Sequence, residues 1–326
     1  MTPLGMTFQS VLAEPITAYV EAKQAVGCRF ATDARALRLL DRFLVAHEIT
    51  TLDAITADII DAFLRSRPRA DPKSYNQLLG HLRRLFDRLV LHGIIAASPV
   101  QAVVRREAPR RRPFLFTAAQ IRQLLEHARA LPDRNRGPQR GSTYYVIFAV
   151  LYGLGLRISE VAHLKHGDVD LDRQMLWIRN TKFGKSRLLP FGPRLGAVLR
   201  THVEHARDAS SEQPLFTFDG RQRINANSIR RTFHSYLLPH LQLTVPPSTR
   251  PPRVHDLRHS FAVNTLLRWY RTGVDPAARL PHLSTFLGHS NPNATAVYLT
   301  ITDELFEAAN ERFAAFAPPF SAEMIP

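Results

Sequence analysis

The sequence contains a single cysteine, and this scarcity excludes two kinds of protein. Cys28 has no second thiol to pair with among the 326 residues, so no internal disulfide can form. For the same reason the chain cannot build a cysteine-rich zinc site. A disulfide scaffold and a cysteine-rich metal site are therefore both excluded.

Long hydrophobic runs are also missing. The longest uncharged apolar stretch, from Gly141 to Leu156, is shorter than the roughly 20 residues that cross a bilayer, so we predict a buried helix there. The first basic residue is Lys23, so the chain starts without the basic region of a secretory signal. We expect a cytoplasmic protein, associated with the nucleoid if its host is bacterial, and no membrane partner.

Acidic residues are in the minority. The chain has 43 lysines and arginines against 28 aspartates and glutamates, a net charge of +15. The excess is +6 over residues 1–112 and +9 over residues 113–326. A basic balance in both halves indicates a polyanionic partner, with nucleic acid as the leading candidate. The plain alternative is a basic protein that binds no nucleic acid.

The first hundred residues have the periodicity of a small helical bundle. We expect helices beginning at Thr32 or Asp33, at Thr56 and at Pro72, and the last should end at Gly93. Leucines recur on these helices at three- and four-residue spacing, which is typical of a buried face. Since one core rarely grows beyond about 250–300 residues, we predict two domains, with an N-terminal helical domain over 1–112.

An arginine-rich segment, RREAPRRRPF at 105–114, closes this first domain. Its prolines and charges, without an apolar stripe, indicate an exposed linker. We predict that basic residues here and on the preceding helix contact nucleic-acid phosphates, although a solvated surface would explain them too. The predicted contacts are Arg83, Arg84, Arg105, Arg106, Arg110, Arg111 and Arg112.

Residues 113–326 mix helices with one short β region. Thr117 begins a helix that Pro132 ends, and the apolar stretch forms another that Gly153 breaks. From Asp168 onward, VDLDRQMLWIRN, the turn TKFGK and SRLLPF alternate as in a hairpin or meander. The predicted fold class is mainly α with a small antiparallel β-sheet, in which a mixed α/β domain over 113–326 follows the helical one.

Side chains that could act on a phosphodiester occur together between residues 255 and 298. His255 and Arg258 are three residues apart and share a helix face. Arg258 offers a planar fork that matches two phosphate oxygens, and His289 adds a donor. Tyr298 brings a phenolic oxygen that can form a covalent intermediate. Taken singly, each has an ordinary structural explanation, such as a solvated helix face or a core tyrosine.

Five ordered motifs give the set its meaning. They are GLGLRISEVAHL at 153–164, TKFGKSR at 181–187, HDLRH at 255–259, LGH at 287–289, and Tyr298 nine residues after His289. In this order the chain resembles the tyrosine recombinases, the phage-integrase-like family of site-specific DNA recombinases. The longer tract before LGH is similar to transposon-encoded members. Residues 1–112 resemble the family's DNA-clamping domain in character only.

The resemblance implies a role for each residue of the set. Arg157 and Arg258 would hold the scissile phosphate, and His255 and His289 would donate to its non-bridging oxygens. Tyr298 would be the nucleophile. Such donors stabilise the extra negative charge of the transition state.

Four further residues complete the implied site. Lys182, in the turn between two strands, would protonate the leaving 5′ oxygen, and Lys185 is the alternative in the same turn. Glu160 would orient its neighbours. His259 would be a structural support, because its spacing to His255 suits a metal pair but the zinc-protease pattern is absent.

The implied function is site-specific cutting and rejoining of DNA through a covalent 3′-phosphotyrosine, in the integration of a mobile element. Because the phosphotyrosine keeps the bond energy, we expect no ATP, metal or other cofactor. Three alternatives stay open: a type IB topoisomerase, a catalytically silent DNA-binding regulator, and a structural RNA-binding protein.

The C-terminal segment carries the expectation about assembly. Thr302 can cap a helix in TDELFEAANERFAAF. Leu305, Ala309, Phe313 and Phe316 would then form one apolar stripe. The resemblance implies that this helix docks on a neighbouring protomer in a tetramer on two DNA duplexes, with copies of this chain or partner recombinases. Docking on its own domain is the alternative.

Overall fold

The chain folds into two compact units, Met1–Arg110 and Arg111–Pro326. The computed structural model describes residues 7–28, 30–108, 111–134, 139–179, 186–206, 208–289, 291, 293–300, 307 and 310. The division falls two residues before the boundary predicted at 112/113. The C-terminal helix predicted from Thr302 lies outside the described residues, apart from the two isolated positions.

The first unit is a bundle of helices. They are α1 (Ala13–Ala25), α2 (Ala31–Ala46), α3 (Ala57–Arg65) and α4 (Pro72–Leu91). As predicted, Thr56 caps α3, where its side chain accepts a hydrogen bond from the Ile59 backbone N–H. Gly93 follows α4 with a φ of +67°, a conformation that favours glycine and ends the helix.

The predicted start of α2 was wrong. The helix begins at Ala31, and Phe30 occupies the N-cap position without a side-chain hydrogen bond. The Asp33 carboxylate, which was expected to cap the helix, instead binds His81 at 2.7 Å and Arg84 at 2.9 Å. The side chain that local spacing assigned to the cap therefore binds His81, which lies 48 residues away in the sequence.

The core of the first unit follows the predicted leucine stripes. Leu37, Leu40 and Leu44 of α2 are buried. They belong to the same apolar cluster as Leu82 and Leu85 of α4. Burial of each such side chain is worth about 1.5–3 kcal/mol, so this cluster is the main source of the unit's stability.

The second unit is also mainly helical. Its helices are α5 (Ala118–Arg129), α6 (Arg140–Gly153), α7 (Ile158–Val161), α8 (Pro193–Glu204), α9 (Ala226–Thr232), α10 (Val254–Arg271), α11 (Pro276–Leu287) and α12 (Asn293–Ala296). A 3₁₀ turn, Val297–Thr300, follows α12. Thr117 and Gln120 form a capping box at the start of α5, as its sequence predicts.

A small antiparallel sheet completes the second unit. Its strands are β1 (Val169–Asp170), β2 (Met175–Ile178) and β3 (Arg187–Pro190), in the order β1-β2-β3. Leu176 pairs with Leu189 on the buried face, and Trp177 pairs with Leu188 on the exposed face. The predicted fold class, mainly α with a small antiparallel sheet, is confirmed. The turn that carries Lys182 and Lys185 lies outside the described residues.

The apolar stretch from Gly141 to Leu156 forms most of α6. This helix packs against α5, α8 and α10, and its apolar side chains lie in the main core of the unit. In the part of the chain that the structure describes, no helix is both long enough and apolar enough to span a bilayer. The expected buried helix is therefore present.

Candidate active site

Six of the predicted site residues come from four separate parts of the second unit. Arg157 directly precedes α7, and His255, Arg258 and His259 lie in the first two turns of α10. His289 follows the end of α11. Tyr298 lies in the 3₁₀ turn after α12. Contacts between these parts bring the side chains together, as described next.

Arg258 is the most buried of these side chains, with 1% of its surface exposed. Its Nη1 donates to the Gly155 carbonyl at 2.8 Å and its Nη2 donates to the Leu287 carbonyl at 2.7 Å. Burial, followed by the positive charge of Arg157, lowers the pKa of Arg258 to about 10. The guanidinium therefore stays charged at neutral pH, in a fixed orientation.

Arg157 is held by a buried carboxylate and by a backbone carbonyl. Its Nη1 donates to Glu160 Oε1 at 2.8 Å and its Nη2 donates to the Gly288 carbonyl at 2.8 Å. Burial would raise the pKa of Glu160, but the guanidiniums of Arg187 and Arg157 outweigh it and hold that pKa below its usual range. Glu160 is therefore ionised, as an orienting group must be.

Arg187 is the site residue to which the sequence assigned no role. Its Nη1 and Nη2 donate to the two oxygens of Glu160, each at 2.9 Å, and its Nε donates to the Phe286 carbonyl at 2.9 Å. The side chain is 10% exposed. The available signal was its place at the end of TKFGKSR, where the predicted strand segment SRLLPF begins.

Two glycines allow the backbone to approach the arginines. Gly155 has a φ of +58°, and a Cβ there would lie 2.6 Å from Phe261 Cδ1. Gly288 has a φ of +67°, and a Cβ there would lie 2.7 Å from Arg187 Nη1. Both residues also present their carbonyls to a guanidinium. A side chain at either position would displace part of the site.

The three histidines are neutral at pH 7. Removal from water, followed by positive neighbours, lowers the pKa of His255, His259 and His289 to about 4 each. Part of His255 is exposed to solvent, but the positive charges of Arg258 and Arg253 also lower its pKa. Each neutral imidazole can donate one N–H and accept one hydrogen bond.

Tyr298 lies inside the cluster, with 3% of its surface exposed. Its hydroxyl is 3.0 Å from His259 Nδ1. Burial raises the pKa of Tyr298 above its usual value, and the charge of Arg258 opposes that rise. The phenol is therefore neutral in the free protein, and His259 fixes the position of its oxygen.

Three arginines predicted to contact DNA are used within the first unit. Arg83 donates to the Ala102 carbonyl at 2.7 Å. Arg84 binds Asp33 at 2.9 Å. The guanidinium of Arg105 lies 3.8 Å from the centre of the Tyr75 ring. These contacts fasten the 102–105 segment to α4 and join α4 to α2, a structural use that the sequence did not indicate.

The remaining predicted contacts fall around the unit boundary. Arg106 and Arg111 are exposed. The backbone of Arg112 pairs with that of residues 248–250. Arg110 lies outside the described residues. The DNA-binding role of all these arginines stays a prediction.

The described residues around the site form no cluster of metal ligands. Over the residues that the structure describes, no group of three or more histidine, cysteine, aspartate or glutamate side chains could hold an ion. His255 and His259 stack edge to face, with ring centres 4.7 Å apart. The Asp256 carboxylate oxygen lies 3.9 Å from His259 Nε2.

Known proteins share both the sequence and the fold of this chain. A family profile described as "Phage integrase family" matches residues 115–304. A putative integrase/recombinase, y4rB of Sinorhizobium fredii, is 34% identical over 93% of this chain and 97% of its own length. The tyrosine recombinase XerC of Salmonella typhi is 30% identical over 78% of this chain and 80% of its own length.

Solved structures with this fold include two integrases. The Tn1549 transposon integrase, in complex with transposon right-end DNA, is 18% identical with a TM-score of 0.64, and covers 93% of this chain and 99% of its own. A lambda integrase tetramer bound to a Holliday junction is 17% identical with a TM-score of 0.60, and covers 90% of this chain and 77% of its own.

Sequence and fold together define a DNA strand-transferring recombinase that uses a tyrosine. The chain belongs to the Phage integrase family, because the family profile spans more than half of it and a relative matches almost its whole length. The predicted family and reaction class are confirmed.

Proposed function

We propose that this protein cuts and rejoins double-stranded DNA at specific sites through a covalent 3′-phosphotyrosine at Tyr298, and that it moves a mobile element. One observation carries the assignment. Two guanidiniums, those of Arg157 and Arg258, are held by carbonyls beside a buried tyrosine hydroxyl. Such an arrangement suits attack on a phosphodiester, where charge develops on the non-bridging oxygens.

The arginines and two histidines supply the electrostatic part of the mechanism. Arg157 and Arg258 neutralise the phosphate, and neutral His255 and His289 donate to it. For His289 we assign the donor atom from a contact of the other ring nitrogen. Its Nδ1 lies 2.6 Å from Thr295 Oγ1. When the Thr295 hydroxyl donates to Nδ1, the imidazole proton sits on Nε2, where it can reach a phosphate oxygen.

The covalent step exchanges one phosphoester for another. Tyr298 Oη bonds to phosphorus, and the bond from phosphorus to the 5′ oxygen breaks. A proton from Lys182, or from Lys185 in the same turn, goes to that oxygen. His259 holds the tyrosine hydroxyl before attack, and its neutral imidazole accepts the phenolic proton at Nδ1 as the bond to phosphorus forms. The reverse reaction, with a 5′ hydroxyl from another strand, rejoins the DNA without ATP.

Covalent capture from a random pool of DNA tests this function and finds the target sequence in the same step. The protein is incubated with nicked duplexes whose sequence is randomised around the nick, so that cleavage releases a short fragment and traps the adduct. Denatured protein–DNA adducts are isolated and sequenced. The expected result is a narrow set of sequences, which then serves as the selected duplex in the experiments below.

The same capture separates the rival functions. A catalytically silent regulator would bind DNA but yield no adduct. A type IB topoisomerase would yield adducts of weak sequence preference and would relax supercoiled plasmid. A recombinase yields adducts at defined sites and exchanges strands between two labelled duplexes.

A basic groove in the first unit is our candidate for the DNA backbone contact. A cavity of about 550 Å³ lies between α2 and α4. Arg35, Arg38 and Arg42 of α2 line it, together with Arg69, which donates to Ser74 Oγ at 2.8 Å. Spacings of three, four and seven residues place the α2 arginines on one helix face. Arg106 and Arg111, like the other arginines predicted from the sequence, remain proposed contacts.

Replacing Arg35, Arg38 and Arg42 by Gln should weaken binding to a random-sequence duplex and flatten its salt dependence. Each lost phosphate contact removes about 0.9 from the slope of log affinity against log salt. Fluorescence anisotropy at several salt concentrations measures this slope. Arg83→Gln is the comparison, because this predicted contact already donates to the Ala102 carbonyl, and it should change the slope less than the triple variant does. An unaltered slope in the triple variant would remove this groove from the DNA interface.

Assembly into a tetramer is the second part of the proposal. An apolar groove of about 710 Å³ runs between α6, α8, α10 and α11. Leu195, Phe261, Trp269 and Phe286 line it. We assign it to the C-terminal segment of a neighbouring protomer, because residues 305–316 carry an apolar, aromatic stripe of matching chemistry. The lambda integrase neighbour is a tetramer on a Holliday junction.

Leu195→Asp and truncation after Thr300 should both abolish cooperative binding to a full site and leave half-site binding intact. Leu195→Asp places a carboxylate in the apolar groove, and truncation removes the segment that we propose enters it. Either change removes the contact between protomers. Gel-shift titration and light scattering measure the two effects. Val245→Asp changes an exposed apolar residue elsewhere in the unit and should have no effect. Full cooperativity in the truncated protein would contradict the assignment.

The setting is the final element of the proposal. The transposon origin named for the Tn1549 integrase supports a mobile-element role. We place the protein in the cytoplasm, at the nucleoid, where its DNA substrate would be found.

A further inference from the structure

Three successive backbone carbonyls at the C-terminal end of α11 each accept a hydrogen bond from a different guanidinium. The bonds run from Arg187 Nε to Phe286 at 2.9 Å, from Arg258 Nη2 to Leu287 at 2.7 Å, and from Arg157 Nη2 to Gly288 at 2.8 Å. The last carbonyls of a helix lack helical partners and carry partial negative charge. The end of α11 is therefore a common anchor for three cations.

Arg187 uses this anchor differently from the other two arginines. It donates to Phe286 and to both oxygens of Glu160, and only 10% of its side chain is exposed. Arg157 has 28% of its side chain exposed and so keeps a surface for a ligand. The contacts of Arg187 are thus directed at the protein itself.

The shared carboxylate explains what Arg187 can do for Arg157. Glu160 is buried and ionised, and it binds both guanidiniums. With Arg187 in place, the two parallel hydrogen bonds between its guanidinium and the Glu160 carboxylate compensate most of the carboxylate charge. Without it, Arg157 would be the remaining cation on a buried anion, and less of its positive charge would act on a phosphate.

We propose that Arg187 is a positioning residue, which neutralises Glu160 and holds the end of α11 so that Arg157 presents its guanidinium and its charge to the scissile phosphate. The inference rests on the proposed function, because it concerns the same phosphate. It adds a residue from β3 to a site otherwise built from residues in or next to α7, α10, α11 and α12.

The test compares Arg187→Gln with wild-type protein on two versions of the selected duplex. One has an ordinary scissile phosphate, and the other has a methylphosphonate, in which a methyl group replaces one non-bridging oxygen and removes the charge. On the phosphate, single-turnover adduct formation should slow by about 10–100-fold, as expected for a misplaced catalytic group. On the methylphosphonate the loss should shrink to about threefold or less, because less charge needs neutralising.

Matched variants keep the result interpretable. Arg179→Gln removes another arginine that binds a buried carboxylate, Asp168 at 2.6 Å, beside the same sheet, and should react like wild type on both duplexes. Arg157→Ala should show the same substrate dependence as Arg187→Gln. If the single Arg187 variant fails to fold, Glu160→Gln with Arg187→Gln avoids an unpaired buried carboxylate and carries the test.

The outcomes separate this inference from the proposed function. If wild-type protein forms no adduct on any duplex, the proposed function fails. If wild type reacts and Arg187→Gln reacts equally fast on the phosphate, only the role of Arg187 is overturned. An equal loss on both duplexes would also overturn it, because a general loss of structure does not depend on the charge of the phosphate.

Discussion

Tyr298→Phe should form no covalent adduct with the selected duplex, while it binds that duplex as tightly as wild type. The substitution removes the phenolic oxygen and leaves every cationic group in place, so binding survives and bond formation does not. Because the ring is buried, phenylalanine fills the same space without a cavity. Denaturing gels detect the adduct, and gel-shift titration measures the affinity.

A second tyrosine supplies the control for this prediction. Tyr270 lies near the end of α10 and packs against the same apolar cluster as Tyr298. Tyr270→Phe removes one hydroxyl from the same cluster and should leave adduct formation unchanged. A covalent adduct with the Tyr298 variant would show that another residue is the nucleophile.

Arg258→Lys should slow adduct formation by about 10²–10³-fold, the usual cost of removing one donor to a transition-state oxyanion. Lysine keeps the charge, but a single ammonium cannot span the Gly155 and Leu287 carbonyls as the guanidinium does. The phosphate-binding group is then displaced even though its charge remains. Single-turnover rates at saturating protein measure chemistry apart from binding.

An exposed arginine on a neighbouring helix provides the comparison. Arg279 lies on the solvent face of α11. Arg279→Lys makes the same chemical change outside the site and should leave the rate unaltered. A rate for Arg258→Lys within a few-fold of wild type would mean that charge alone, and not the fork of the guanidinium, serves the reaction.

Helices whose signals are local could be predicted from the sequence. The caps at Thr56 and Thr117 and the proline that opens α4 each act through backbone groups within four residues, so their pattern is sufficient. The start of α2 could not be predicted in this way. Its candidate cap, Asp33, binds His81 and Arg84 across the bundle, and local spacing carries no information about those partners.

The roles of the basic residues likewise divide into what the sequence indicates and what only tertiary contacts decide. The sequence indicates that both halves are basic, but it does not say which guanidiniums are already bound. Arg83 and Arg105 were predicted to contact DNA, and that stays a prediction, but the structure shows that they also fasten residues 102–105 to α4. The α2 arginines had no distinguishing motif. The folded groove shows that they face a common cavity.

For the site, ordered motifs were enough to name Arg157, Arg258 and Tyr298, because each motif keeps its residue types and order along the chain. What binds those residues depended on the tertiary structure. Arg187 meets Glu160 across 27 residues and Phe286 across 99, and Arg258 meets Gly155 across 103. Composition, caps and motifs therefore determined the fold class and the reaction class and predicted the reacting groups. Only packing decided which carbonyls and carboxylates hold them, because hydrogen bonds between distant segments exist only after those segments have been brought together.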